Sequence, residues 1–114
     1  YIEMPKVIQF KETYDYFEVL FHELAHWAEV RTGWKRFEGM NTYEMGELIA
    51  TIAACSVCTE LSIPLRKQTK EVDYYPKWIE AMEKDYNFIF KATSQALKAK
   101  NYILKFRQLP RFNF

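Results

Sequence analysis

The sequence predicts a mainly helical α+β domain, about four helices with a small strand element at the N-terminus. Three observations carry that expectation. Apolar residues recur at spacings of three and four through most of the chain, as the buried stripe of a helix requires. Glycine and proline, which interrupt helices, number only three and four in 114 residues. Hydrophobic residues make up 49% of the chain and aromatics 18%, enough for one packed core in one domain of this length.

The elements follow in order. Residues 1–12 hold short apolar stretches around Pro5, with Ile2, Met4, Val7, Ile8 and Phe10, and read as one or two short strands. A first helix begins near Glu12 or Thr13, with Tyr14, Phe17, Phe21, Leu24 and Ala28 on its apolar face, and Gly33 is suited to stop it. A polar loop to Asn41, interrupted by Trp34 and Phe37, leads to a second helix over residues 43–61, capped by Asn41 or Thr42 and ended by Pro64. Residues 65–72 form a charged connection. Asp73 can cap a short third helix containing Trp78, Ile79 and Met82. A fourth runs over about 86–106, with Ile89, Ala92, Ala96, Ala99 and Ile103 in register.

Several function classes are disfavoured at the outset. A formal charge of +1 gives no global attraction to nucleic acid or to an anionic membrane. No apolar run reaches the length of a bilayer span, no signal peptide opens the chain, and no membrane partner is expected. A start on Tyr1 fits a piece of a longer protein. Cys55 and Cys58 form a lone CxxC without the second pair a structural zinc knuckle needs. They read as small packing residues, in keeping with a reducing compartment.

The chemistry lies in His22-Glu23-Leu24-Ala25-His26, which contains both histidines of the chain. Residues four apart on a helix stand about 40° from one another around the axis, so both imidazoles can reach one Zn²⁺. Glu23 is offset by about 100° from His22 and about 60° from His26. That is awkward for a ligand and well placed for a general base acting on metal-bound water. Leu20, Phe21, Leu24, Ala25 and Trp27 flank the motif, so the turn is at least partly buried, where unpartnered histidines and a carboxylate would be costly. Catalytic zinc usually has three protein ligands. Glu47, followed by small and apolar positions on the second helix, is the preferred third, with Glu44 as the alternative and Cys55 and Cys58 farther along.

Beyond the motif, the runs HELAHW, YEMGELIATIAACSVCTELSIP and YYPKWIEAMEKDYNFIFKATSQALKAKNYIL resemble the C-terminal zincin-like metallopeptidase domain of ArdC-type antirestriction proteins and the polyvalent proteins of mobile elements. The likeness runs from Pro5 to Leu104. It implies a zincin-like fold, zinc held by His22, His26 and an acid of the next helix, Glu23 as the catalytic acid, and a cytoplasmic setting. Glu47 matches the second acid of the family's E-E-L-x-A-E run, from which this chain departs at Gly46 and Thr51. If the acid replaced by Thr51 orients a ligand histidine, that support is weakened here.

The expected activity is hydrolysis of a peptide bond in a peptide or protein substrate, with Tyr43 or Tyr75 available to stabilise an oxyanion. The competing expectation is a non-catalytic, zinc-stabilised antirestriction or DNA-associated module. Full-length members of the resembling family carry a single-stranded-DNA-binding domain that nothing in this chain matches, so single-stranded DNA would be reached through a domain not present here. The tail mixes Lys98, Lys100, Lys105, Arg107 and Arg111 with Tyr102, Phe106, Phe112 and Phe114. Cations beside stacking groups suit a single strand, and a solvated helix face with a packed terminus equally.

Overall fold

The computed structural model describes Met4, residues 13–35, Glu38, 42–64 and 75–108, the side chains of 13–15, 107 and 108 excepted. Within them lie four α-helices: α1 Thr13–Arg31, α2 Tyr43–Glu60, α3 Tyr75–Lys84 and α4 Phe88–Leu104, closed by a turn of 3₁₀ helix at Lys105–Gln108. The described residues contain no strand. The expected strand element at 1–12 lies outside them apart from Met4, as do the Asp73 cap and the connection at 65–72. No helix among the described residues is long and apolar enough to cross a membrane.

Both long helices that build the site end in the same way. At the end of α1, Gly33 takes φ +86°. The Trp34 amide then donates to the Glu29 carbonyl at 2.8 Å and the Gly33 amide to that of Val30 at 3.2 Å. This pair of bonds is a Schellman turn, and it satisfies carbonyls that the helix would otherwise leave open. The end of α2 repeats it: Ile63 donates to Cys58 at 2.8 Å and Ser62 to Thr59 at 3.2 Å. Here the left-handed position is filled by Ser62, at φ 59°, which lacks glycine's freedom. Pro64 follows and forbids further helix. At the start of α2, Thr42 Oγ1 accepts from the Met45 amide at 3.1 Å, and this decides the cap in favour of threonine.

α2 is the centre of the bundle, packed against both α1 and α4, which also touch each other. Its buried residues include Met45, Leu48, Ile49, Ala53 and Val57. Small residues set the distances between axes. Ala25 and Ala28 are buried on α1, and Ala92, Ala96 and Ala99 on α4. The sequence pattern foretold that alanine ladder on α4 as its core face. On α3, Trp78 is buried, and its Nε1 donates to the Glu44 carbonyl at 2.8 Å, giving the indole both burial and a partner. Gln95 of α4 donates to Thr32 Oγ1 at 2.8 Å, tying α4 to the end of α1. Cys58 is fully buried, and burial, followed by the charge of Glu18, pushes its thiol up to about 11. It is an inert packing group.

Because Ser62 holds a left-handed conformation that glycine adopts without strain, Ser62→Gly is expected to raise stability by about 0.5–1 kcal/mol. Urea unfolding followed by helical circular dichroism measures it, and a lower midpoint would contradict the assigned turn.

Candidate metal centre

His22 and His26 lie one turn apart on the stretch of α1 that packs on α2. Ala25 between them is buried, so the two helices approach closely there and a side chain from α2 can reach across. That side chain is Glu47. Its Oε2 lies 2.9 Å from His22 Nε2 and its Oε1 3.2 Å from His26 Nε2. The two Nε2 atoms are 3.1 Å apart, with the rings edge-on at 74°. Among the described residues, His22, His26 and Glu47 form the one group whose donor atoms come together closely enough to hold a metal ion.

The donor set fits zinc. Two imidazole nitrogens and a carboxylate oxygen are the ligand types of a hydrolytic zinc site, and bonds of about 2.0–2.1 Å in a tetrahedron separate neighbouring ligand atoms by about 3.3 Å. The two imidazole nitrogens, 3.1 Å apart, are already close to that, and each faces one oxygen of Glu47 at 2.9 or 3.2 Å. One donor atom from each residue lies within 4.8 Å of the others. Electrostatics point the same way. Burial disfavours charge on Glu47, but hydrogen bonds to His22 and His26 outweigh it and hold the carboxyl well below the usual range. Burial likewise opposes a charged His26, yet hydrogen bonds to Glu29 and Glu47, and the charges of both acids, push it up to about 9. The carboxylates thus demand positive charge where the nitrogens converge, which a divalent cation supplies better than a proton.

The other expected residues fall in different places. Glu44 is not part of the cluster. Its Oε1 accepts from Lys77 Nζ at 3.1 Å, and a backbone hydrogen bond, followed by that from Lys77, holds its carboxyl below the usual carboxylate range. Glu23 is half-buried on the same turn as His22. Tyr43 stands one turn before Glu47, Tyr75 opens α3, and both are exposed. Thr51, one turn beyond Glu47, has a buried hydroxyl with no hydrogen-bond partner. Of the basic, aromatic tail, Tyr102 and Phe106 pack on Trp27 with centroids 5.7 and 5.9 Å away. Lys105 lies 4.3 Å over Tyr102. The side chain of Arg107 and residues 109–114 lie outside the described part.

One participant was missed by sequence reasoning. Glu29 Oε1 lies 2.7 Å from His26 Nδ1, the ring atom turned away from Glu47. Its signal was its position three residues past His26, on a neighbouring helix face.

Residues 1–95 match a model for a family of zincin-like metallopeptidases found in polyvalent proteins. The chain belongs to this family. It is 24% identical over 107 residues to the uncharacterized protein y4eC of Sinorhizobium fredii, covering 90% of this chain and 35% of that protein. It is 31% identical over 111 residues to the DNA primase TraC of Escherichia coli, covering 94% of this chain and 10% of the primase. The chain thus spans about a third or less of the length of these relatives. No solved structure matches it.

Two expectations follow for the metal-free protein and its ligands. His26 binds its proton more tightly in the fold than at its ordinary 6.5, so its contribution is complete below pH 6.5 and is lost as pH rises toward 9. Glu47, held low, contributes above its ordinary 4.5 and loses that contribution as pH falls. Melting in chelator should therefore peak between about pH 5 and 6.5 and decline toward pH 9; a rise across that upper interval would contradict the geometry. Separately, zinc titration should show His22→Ala, His26→Ala and Glu47→Ala each weakening binding far more than Glu44→Ala. Equal losses at Glu44 and Glu47 would reopen the choice between the acids.

Proposed function

We propose that the chain is a zinc-dependent metallopeptidase domain in which His22, His26 and Glu47 hold Zn²⁺ and Glu23 is the general base. The proposed substrate is a peptide or protein, and the proposed setting a cytoplasmic antirestriction protein of a mobile element. The observation that carries the proposal is the convergence of His22, His26 and Glu47, whose donor atoms, one from each residue, lie within 4.8 Å of one another, in a zincin-like metallopeptidase family member.

Zinc, when bound, polarises the scissile carbonyl and acidifies water. The chain's own residues do the rest. Glu47 and the two imidazoles fix the ion's place between α1 and α2. Glu23, one residue past His22, takes a proton from the water that attacks the peptide carbonyl. It then passes that proton to the nitrogen of the leaving amine as the C–N bond breaks. Tyr43, a turn before Glu47, and Tyr75, at the head of α3, are the hydroxyls available for the oxyanion. The mobile-element setting draws on the family's polyvalent proteins, and contact with single-stranded DNA is assigned to a domain outside these residues.

A second reading, a non-catalytic zinc-stabilised antirestriction or DNA-associated module, is favoured by Gly46 and Thr51, which stand where the resembling family carries acids. The relative named as a DNA primase fits a DNA-associated setting as well. Glu23→Gln separates the two. A peptidase should keep its zinc content and lose about 10²–10⁴-fold in peptide cleavage, measured on a fluorogenic peptide library and on the chain itself. Unchanged protection of DNA from restriction in that variant would favour the binding module.

A further inference from the structure

We infer that Glu29 is the positioning residue of the metal centre: its carboxylate accepts the Nδ1 proton of His26 and thereby presents the Nε2 lone pair to the metal. The inference rests on the zinc reading above and extends it to a side chain outside the HExxH motif.

A histidine ligates through one ring nitrogen only when that nitrogen is unprotonated, so the proton must reside on the other. On His26 the choice is made by geometry. Nε2 faces His22 Nε2 at 3.1 Å and Glu47 Oε1 at 3.2 Å, while Nδ1 faces Glu29 Oε1 at 2.7 Å. A carboxylate is an acceptor only, so Nδ1 must donate. With Nδ1–H held by Glu29, the proton that faces Glu47 Oε1 on Nε2 is the one a metal displaces, and the Nε2 lone pair then points to where the other donors converge. A charged acceptor also makes the imidazole a more basic ligand than a carbonyl would. The Glu29 side chain is 11% exposed and that of His26 20%, so water competes little for this bond and it holds the ring's orientation.

The local fold explains why this acid is in place. Glu29 follows His26 by three residues, close enough on α1 for its carboxylate to reach Nδ1. Its own carbonyl receives the Trp34 amide in the turn that ends α1, which anchors the backbone beneath the side chain. The supporting carboxylate therefore comes from the ligand helix itself. On α2, where the resembling family carries an acid at position 51, this chain has a threonine whose hydroxyl is buried without a partner. The departure at Thr51 consequently does not leave the centre without a carboxylate behind a ligand histidine.

The test is a zinc titration against a competing chelator, paired with ¹⁵N spectra of the histidine rings in the zinc-loaded protein. Glu29→Gln should weaken zinc binding about 10-fold and Glu29→Ala up to about 100-fold. Wild-type spectra should show His26 metal-bound at Nε2 with a slowly exchanging Nδ1 proton, and Glu29→Ala should lose that protected proton. Glu29→Asp, which keeps the charge, should recover part of the affinity. Loss of thermal stability in Glu29→Ala, with zinc affinity and ring spectrum both unchanged, would show a merely structural acid and overturn the inference while leaving the zinc reading intact. Failure of the wild-type chain to bind zinc would instead overturn the zinc reading and this inference with it.

Discussion

A single carboxylate shared by two imidazoles across the α1–α2 interface organises this protein. Glu47 reaches both His22 Nε2 and His26 Nε2 from a helix whose neighbouring residues, Leu48 and Ile49, are committed to the core. Taking an acid and two histidines out of water costs several kcal/mol unless charge and hydrogen bonds compensate. Here the compensation is mutual, and it forces Glu47 toward its ionised state and His26 toward its charged one. Removing either partner would leave the other buried without its counter-charge. The helix packing and the site chemistry are therefore one constraint.

The rest of the fold serves that constraint by bringing the two helices close and holding them in register. Ala25 and Ala28 on α1, and Ala50, Ala53 and Ala54 on α2, are all buried, and their small side chains let the backbones approach. The alanine ladder of α4 is buried likewise, and α4 packs on both α2 and α1. Each site helix is ended by a Schellman turn, one built on Gly33 and one on Ser62. α3 is fastened by Trp78 to the carbonyl of Glu44, and Lys77 beside it takes the Glu44 side chain. That pair of contacts explains why the acid three residues before Glu47 is turned to other use.

Much of this was legible in the residues. Periodicity and punctuation located all four helices, because Gly33, Thr42 and Pro64 act locally and their effects do not depend on the distant chain. The histidine pair was legible for the same reason: spacing along one helix fixes relative direction. In sequence alone the choice between Glu44 and Glu47 rests on pattern. It depends on Lys77, whose approach to Glu44 is a tertiary event 33 residues away in sequence. Glu29 was passed over because an acid after an HExxH motif resembles an ordinary solvated helix residue. Only the packing around it, which leaves its side chain 11% exposed, marks it out. Thr51 marks a lost support for a ligand histidine in sequence alone, while the acid that contacts one directly, Glu29, stands on the other helix.

The distribution of the site along the chain has a thermodynamic consequence. Both histidines, the proposed base and the proposed positioning acid lie within residues 22–29 of one helix, and only Glu47 comes from elsewhere. On the zinc reading, an isolated α1 would offer two nitrogen ligands, and the third would become available only when α2 docks. Metal affinity is then partly the free energy of docking, since a ligand that prefers the assembled state stabilises that state. In the metal-free protein the Glu47 carboxylate already bridges both imidazoles across the interface, in the place where a divalent ion would carry more charge than a proton. Exchange of a proton for a metal at that point changes the charge that Glu47 faces without requiring the helices to find a new register. That makes the α1–α2 interface a preformed frame for the proposed zinc site.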